Sequence, residues 1–101
     1  MRIIYITTRN VGEAKKIANH LLSKKLIACA NMFPIESMYS FEGDLQEDIE
    51  FVILIKTKKE NYEIVQKEIE KMHSYETPAI FSWVPDKVNK KYNDWINNNC
   101  N

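Results

Sequence analysis

The chain has 101 residues, 45% of them hydrophobic and 28% charged, and its 14 basic and 14 acidic residues give a formal net charge of zero. That length supports one domain with a modest core, and the charge balance argues against a dedicated nucleic-acid binder, which shows a basic excess. No apolar run approaches the roughly 20 residues of a membrane-spanning helix. Cys29 and Cys100 stand far apart without CxxC or zinc-finger spacing, so no disulfide scaffold is expected and the cytoplasm is the default compartment.

Arg2–Thr8 has one basic residue and no small-residue cleavage pattern, so it reads as a first strand rather than a signal peptide. Ile4 and Ile6 face one way, Ile3 and Tyr5 the other, which predicts burial on both faces. Asn10 then caps a helix, with Glu13 three residues later in a capping-box arrangement. Val11, Ala14, Ile17, Ala18, Leu21 and Leu22 follow helical spacing, with Lys15, Lys16 and Asn19 opposite and His20 at the border of the stripe. Lys24 and Lys25 suit the negative end of the helix dipole.

The next stretch organises the chain. Ala28–Phe41 and Asp44–Thr57 read as two long strands folded at Glu42-Gly43-Asp44, where Gly43 tolerates the positive φ of a hairpin turn. At about 3.3 Å per residue such an arm reaches roughly 43 Å, beyond the roughly 35 Å breadth of a globular domain of this size. It should therefore overhang its own domain. An overhanging apolar hairpin is an aggregation liability unless another chain covers it, so the hairpin reads as an assembly arm. Pro34 requires an edge position or a bulge. Ala28, Ala30 and Met32 precede it on one face, whereas Ile35, Tyr39 and Phe41 carry the alternation after it, a change of phase that predicts a bend. In the second arm Phe51, Ile53 and Ile55 face one side, Val52 and Leu54 the other.

Thr57-Lys58-Lys59-Glu60 reads as a second capping box, and the stripe Tyr62, Val65, Ile69 and Met72 carries a helix to His73. His73–Pro78 connects to a last strand, Ala79–Val84, stopped by Pro85. A short helix over about Asn89–Asn98 presents Tyr92, Trp95 and Ile96 on one face, and the asparagine-rich tail Asn97–Asn101 should fray. The order βαββαβ plus a terminal helix predicts an α+β, ferredoxin-like fold, one domain over residues 1–101. Two helices cover one face of such a sheet. Ile3, Tyr5, Val52 and Leu54 make a second apolar face, and a partner subunit is the economical cover for it.

Taken together, Ala28-Cys29-Ala30-Asn31, Tyr39-Ser40-Phe41-Glu42-Gly43, Lys56-Thr57, His73-Ser74-Tyr75-Glu76-Thr77-Pro78 and Tyr92-Asn93-Asp94-Trp95 resemble the CutA family of divalent-cation tolerance proteins over nearly the whole chain. The resemblance implies a ferredoxin-like fold assembled as a homotrimer through long hairpins. Phe41 stands where the family usually has Trp, and Ser74 where it usually has Pro. Copper binding is attributed to some members. Only His73 carries over onto that idea, and Met72 beside it is a soft sulfur whose helical spacing favours the core.

Among residues able to carry chemistry, His73 is a C-capping residue or a metal ligand, and Cys29 a structural thiol or a soft-metal ligand. Glu76 could accept from His73 or pair with Lys56. Tyr92 and Trp95 pack a helix on the sheet or wall a ligand. No GxSxG, HExxH, P-loop or GxGxxG is present, so an enzyme is not expected. Two functions follow. One is a trimer binding copper or another soft divalent metal through His73 and Cys29. The other is a sensor trimer, like the ferredoxin-like PII proteins, holding a small anion in inter-subunit clefts with Lys56, His73, Tyr75, Glu76 and Trp95 at the cleft. Self-association is the partner expected, with neither nucleic acid nor membrane.

Overall fold

A computed structural model describes residues 1–101. The elements are β1 (Arg2–Thr8), α1 (Val11–Ser23), β2 (Cys29–Phe41), β3 (Asp44–Thr57), a 3-10 turn (Lys59–Asn61), α2 (Tyr62–Met72), β4 (Ile80–Trp83) and α3 (Lys90–Asn98). All strand pairs are antiparallel and the sheet order is β2-β3-β1-β4, the ferredoxin-like arrangement. Strand alternation and helical spacing meet in one core. Ile4, Ile6, Ile53 and Ile55 on one sheet face pack with Ala14, Ile17 and Leu21 of α1 and Val65 and Ile69 of α2. Each of these side chains is withdrawn from water almost completely.

The ends of α1 follow the sequence with one variation at each. Asn10 Oδ1 accepts the Glu13 N–H at 2.9 Å, but Glu13 reaches back to the N–H of Arg9 rather than that of Asn10. At the other end Lys25 takes φ 56°, and the N–H groups of Lys25 and Leu26 close on Leu22 and Leu21 at 3.0 Å. That is a Schellman motif with lysine in the place glycine usually takes. The second capping box does not form. The Thr57 hydroxyl is buried, donating to Leu26 O at 2.7 Å and accepting from Asn61 Nδ2 at 3.0 Å, so α2 is reached through the 3-10 turn instead.

The arm is longer than the body that carries it. β1 pairs with β3 only as far as Thr8↔Phe51, whereas β2 pairs with β3 out to Phe41↔Asp44. Residues 35–50 therefore form a free two-stranded ribbon, and the molecule measures 46 × 27 × 21 Å. Glu42 and Gly43, at φ 52° and 84°, make its two-residue turn. Register runs through Pro34 without a bulge, so Pro34 is accommodated because β2 is an edge strand. The predicted change of phase is thus a change of face. Ile35, Tyr39 and Phe41 share the face of Phe33, Val52 and Leu54, away from α1 and α2.

Two further expectations are corrected. Val52 is fully buried within the single chain, although its face lies opposite the helices. Phe33 and Thr7 flank it in register, and Tyr75 reaches Glu50, the next residue on that face. The tail does not fray. Cys100 is buried beside Ile96 and Ala28, and Asn101 is held by Lys25 O and Asn61 Nδ2, both at 2.8 Å.

Candidate functional site

The predicted site residues fall into two clusters, one at each end of β1. The first gathers where β1 ends and the arm begins. His73 caps α2, its backbone N–H closing on Ile69 O at 2.9 Å. Its ring Nδ1 lies 3.0 Å from the Tyr75 backbone N, and its Nε2 lies 2.8 Å from Thr7 O. A backbone N–H can only donate, so Nδ1 accepts, and Nε2 carries the proton and donates to Thr7. Both ring nitrogens are therefore engaged. The Tyr75 ring stands 4.8 Å from that of His73, and its hydroxyl donates to Glu50 Oε2 at 2.7 Å. Burial first, then the Glu50 carboxylate, push the Tyr75 phenol well above its ordinary range.

Glu13 ties this turn to α1. Its carboxylate receives the N–H of Arg9 on one oxygen and that of Ser74 on the other, each at 2.8 Å. Burial pushes the carboxyl up, but these donors and the nearby His73 outweigh it and hold it below the usual range. A proline in place of Ser74 could not make that bond. Glu76 is exposed and pairs with neither His73 nor Lys56; within the subunit it has no hydrogen-bond partner.

The second cluster lies beside the start of β1. Cys29 is a free, half-buried thiol whose Sγ is 3.5 Å from the Tyr92 hydroxyl. That contact, then burial, raises the Tyr92 phenol. Trp95 stacks on Tyr92, ring centroids 6.1 Å apart and planes within 9°. Lys56 stands opposite Cys29 in register, half-buried and without an ion-pair partner. Lys56 also faces Ile3, whereas His73 reaches Thr7, four residues along β1. At about 3.3 Å per residue the two clusters are roughly 13 Å apart. His73 and Cys29 therefore do not form one site within a subunit, nor do Lys56 and Tyr75. No three His, Cys, Asp or Glu side chains of the subunit converge as metal ligands.

Sequence reasoning missed Glu50 and Glu13 as partners of the His73–Tyr75 turn. Glu50 carried a signal, since it is the charged residue that enters an apolar strand on the face of Val52 and Leu54. Glu13 carried a misleading one, because its capping role is real and hides the second bond.

A family model described as CutA1 divalent ion tolerance protein matches residues 2–99. The chain belongs to this family. The CutA protein of Archaeoglobus fulgidus is 43% identical over 93 residues, covering 92% of this chain and 91% of that one. Its solved structure, described as a periplasmic divalent cation tolerance protein, superposes with a TM-score of 0.91 at 42% identity over 95% of each chain. Pyrococcus horikoshii CutA, crystallised in 3 M guanidine hydrochloride, reaches a TM-score of 0.97 at 34% identity over the full length of both chains. A PII-like CutA from Nostoc matches at a TM-score of 0.92 but 23% identity, a likeness of fold alone. In the His73–Pro78 turn of this chain the second position is a serine whose backbone N–H donates to Glu13.

Proposed function

We propose that this chain works as a cytoplasmic homotrimer that binds copper or another soft divalent metal at Cys29, with the remaining donors supplied by a neighbouring copy. The observation that carries the assembly is the arm. Met38, Phe41, Leu45 and Ile49 along it are 59–70% exposed, and Phe33, Phe81 and Trp83 extend the apolar surface onto the sheet face away from the helices. Charge supports a second copy as the cover. Six of the 14 acidic residues and none of the 14 basic ones lie between Leu26 and Ile55, so the arm segment is acidic and the rest of the chain equally basic. Light scattering coupled to size exclusion at micromolar concentration should give a trimer; a monodisperse monomer defeats the reading.

The metal reading rests on the family and on the half-buried free thiol of Cys29, a soft donor suited to copper. His73, with both nitrogens engaged, is the less suitable of the two predicted ligands. No catalytic set supports an enzyme. Both thiols are free, which fits a reducing compartment, whereas the Archaeoglobus protein is described as periplasmic. Lys56 favours a second reading, a small anion at the same end of the sheet, since it is half-buried with no carboxylate partner. Calorimetric titration with Cu(I), Cu(II) and Zn(II), then with nucleotides and small carboxylates, separates the two. Cys29→Ser should abolish metal binding and Lys56→Met anion binding. Metal affinity should fall with pH, because protons compete for the thiolate.

A further inference from the structure

We propose that His73 is a proton-operated latch that fastens the root of the arm to the body. The geometry sets the neutral ring as the closed state. Nδ1 accepts the Tyr75 N–H at 3.0 Å while Nε2–H donates to Thr7 O at 2.8 Å. Adding a proton to Nδ1 turns it into a donor aimed at another donor. The Tyr75 N–H then loses its acceptor, and the turn after α2 has to move.

That movement reaches the arm through one bond. The Tyr75 hydroxyl donates to Glu50 Oε2 at 2.7 Å, and Glu50 is the first residue of β3 beyond the last pairing with β1, Thr8↔Phe51. Every other hydrogen bond made by side chains of residues 35–50 stays within the arm, such as the one from Tyr39 to Asp48. The Tyr75–Glu50 bond is therefore the outermost tether between body and arm. The other groups facing the ring are carboxylates or main chain. From α1 the Glu13 carboxylate grips the same turn by accepting the Ser74 N–H at 2.8 Å. From β1 the Thr7 carbonyl faces Nε2, and from β3 the Glu50 carboxylate is reached through the Tyr75 hydroxyl. Glu13 thus holds the front of the turn while His73 releases its back. An ordinary histidine changes charge between about pH 5 and 8, and that is the window in which the latch is tested. Coupling is reciprocal, so whatever seats the arm opposes protonation of His73.

The test is NMR on the intact protein between pH 8 and 5. It follows the His73 ring shifts, the hydrogen-exchange protection factor of the Tyr75 amide, and the side-chain carboxyl carbon of Glu50. The expected result is that Tyr75 protection falls at least tenfold as His73 takes up its proton. The Glu50 carboxyl should shift at the same midpoint. His20→Gln, which removes the other histidine, should keep the step, and His73→Gln should abolish it. A Tyr75 amide whose protection stays flat through the His73 titration overturns the proposal. So does a ring that stays neutral to pH 5, or a step that survives in His73→Gln. Should that variant fail to fold, the parent protein alone decides, from whether ring and amide share a midpoint. A step at Tyr75 with no change at Glu50 overturns the reach of the latch to the arm.

Discussion

Lys25 carries a cost that one substitution should remove. It sits at φ 56° in the Schellman motif that ends α1, a region where an L side chain costs roughly 1–2 kcal/mol and glycine costs little. Lys25→Gly should raise stability by about 1 kcal/mol, read as a higher denaturant midpoint at unchanged slope. The opposite change at the arm tip should hurt. A methyl group at Gly43 would meet only open space, yet the φ of 84° makes Gly43→Ala unfavourable by about 1–2 kcal/mol from backbone strain alone. A buried hydroxyl gives a third test. Thr57→Val keeps shape but leaves Leu26 O with only the longer bond from Asn61 Nδ2 at 3.2 Å and Asn61 without one acceptor, and should cost about 1 kcal/mol.

Between elements, α1 and α2 are joined by a single buried carboxylate as well as by packing. Glu68 on α2 receives Lys24 Nζ and Lys71 Nζ at 2.8 Å and His20 Nε2 at 3.0 Å, with only 9% of its side chain exposed. Lys24 first, then Lys71 and His20, hold its carboxyl far below the ordinary value of 4.5. A carboxyl lowered on folding stabilises the protein above its unfolded value and loses that contribution as pH falls toward the folded one. Glu68→Gln should therefore lower the melting temperature at pH 7. The gap between variant and parent should close progressively below about pH 4.5. A gap that stays constant down to pH 2 would mean that Glu68 acts through packing rather than charge.

For the whole molecule, assembly and core make separable predictions. Ile53 lies in the central core, and Ile53→Ala should cost about 2–5 kcal/mol at any protein concentration. Leu54, one residue on, is half-buried on the opposite face, and Leu54→Lys should dissociate or aggregate the protein while leaving the fold of the subunit intact. A stable trimer of Leu54→Lys with unchanged melting temperature would place the interface elsewhere. The melting temperature of the parent should rise with protein concentration. It should fall with added salt to the extent that the acidic arm is attracted to the basic body.

The elements were legible in the sequence because local chemistry decides them. Alternation in Phe51–Ile55, helical spacing in Val65–Met72 and the tolerance of Gly43 for positive φ each need only a few neighbouring residues, and they sufficed for the fold and the overhanging arm. His73 and Tyr75 also stood out by themselves, as polar and aromatic groups at a helix end. What local chemistry could not supply was the partner of each polar group. Thr57 has the spacing of a cap, yet its hydroxyl is buried at the end of β3 and serves Leu26 and Asn61, groups that only the tertiary structure brings to it. Glu13 and Glu50 meet the His73–Tyr75 turn only because α1 and β3 converge there in space, at sequence separations of 61 and 25. The tail is ordered for the same reason, since its anchors Lys25 and Asn61 lie far back along the chain. The sheet also parted His73 from Cys29, since register along β1 sets that distance and composition carries no trace of it.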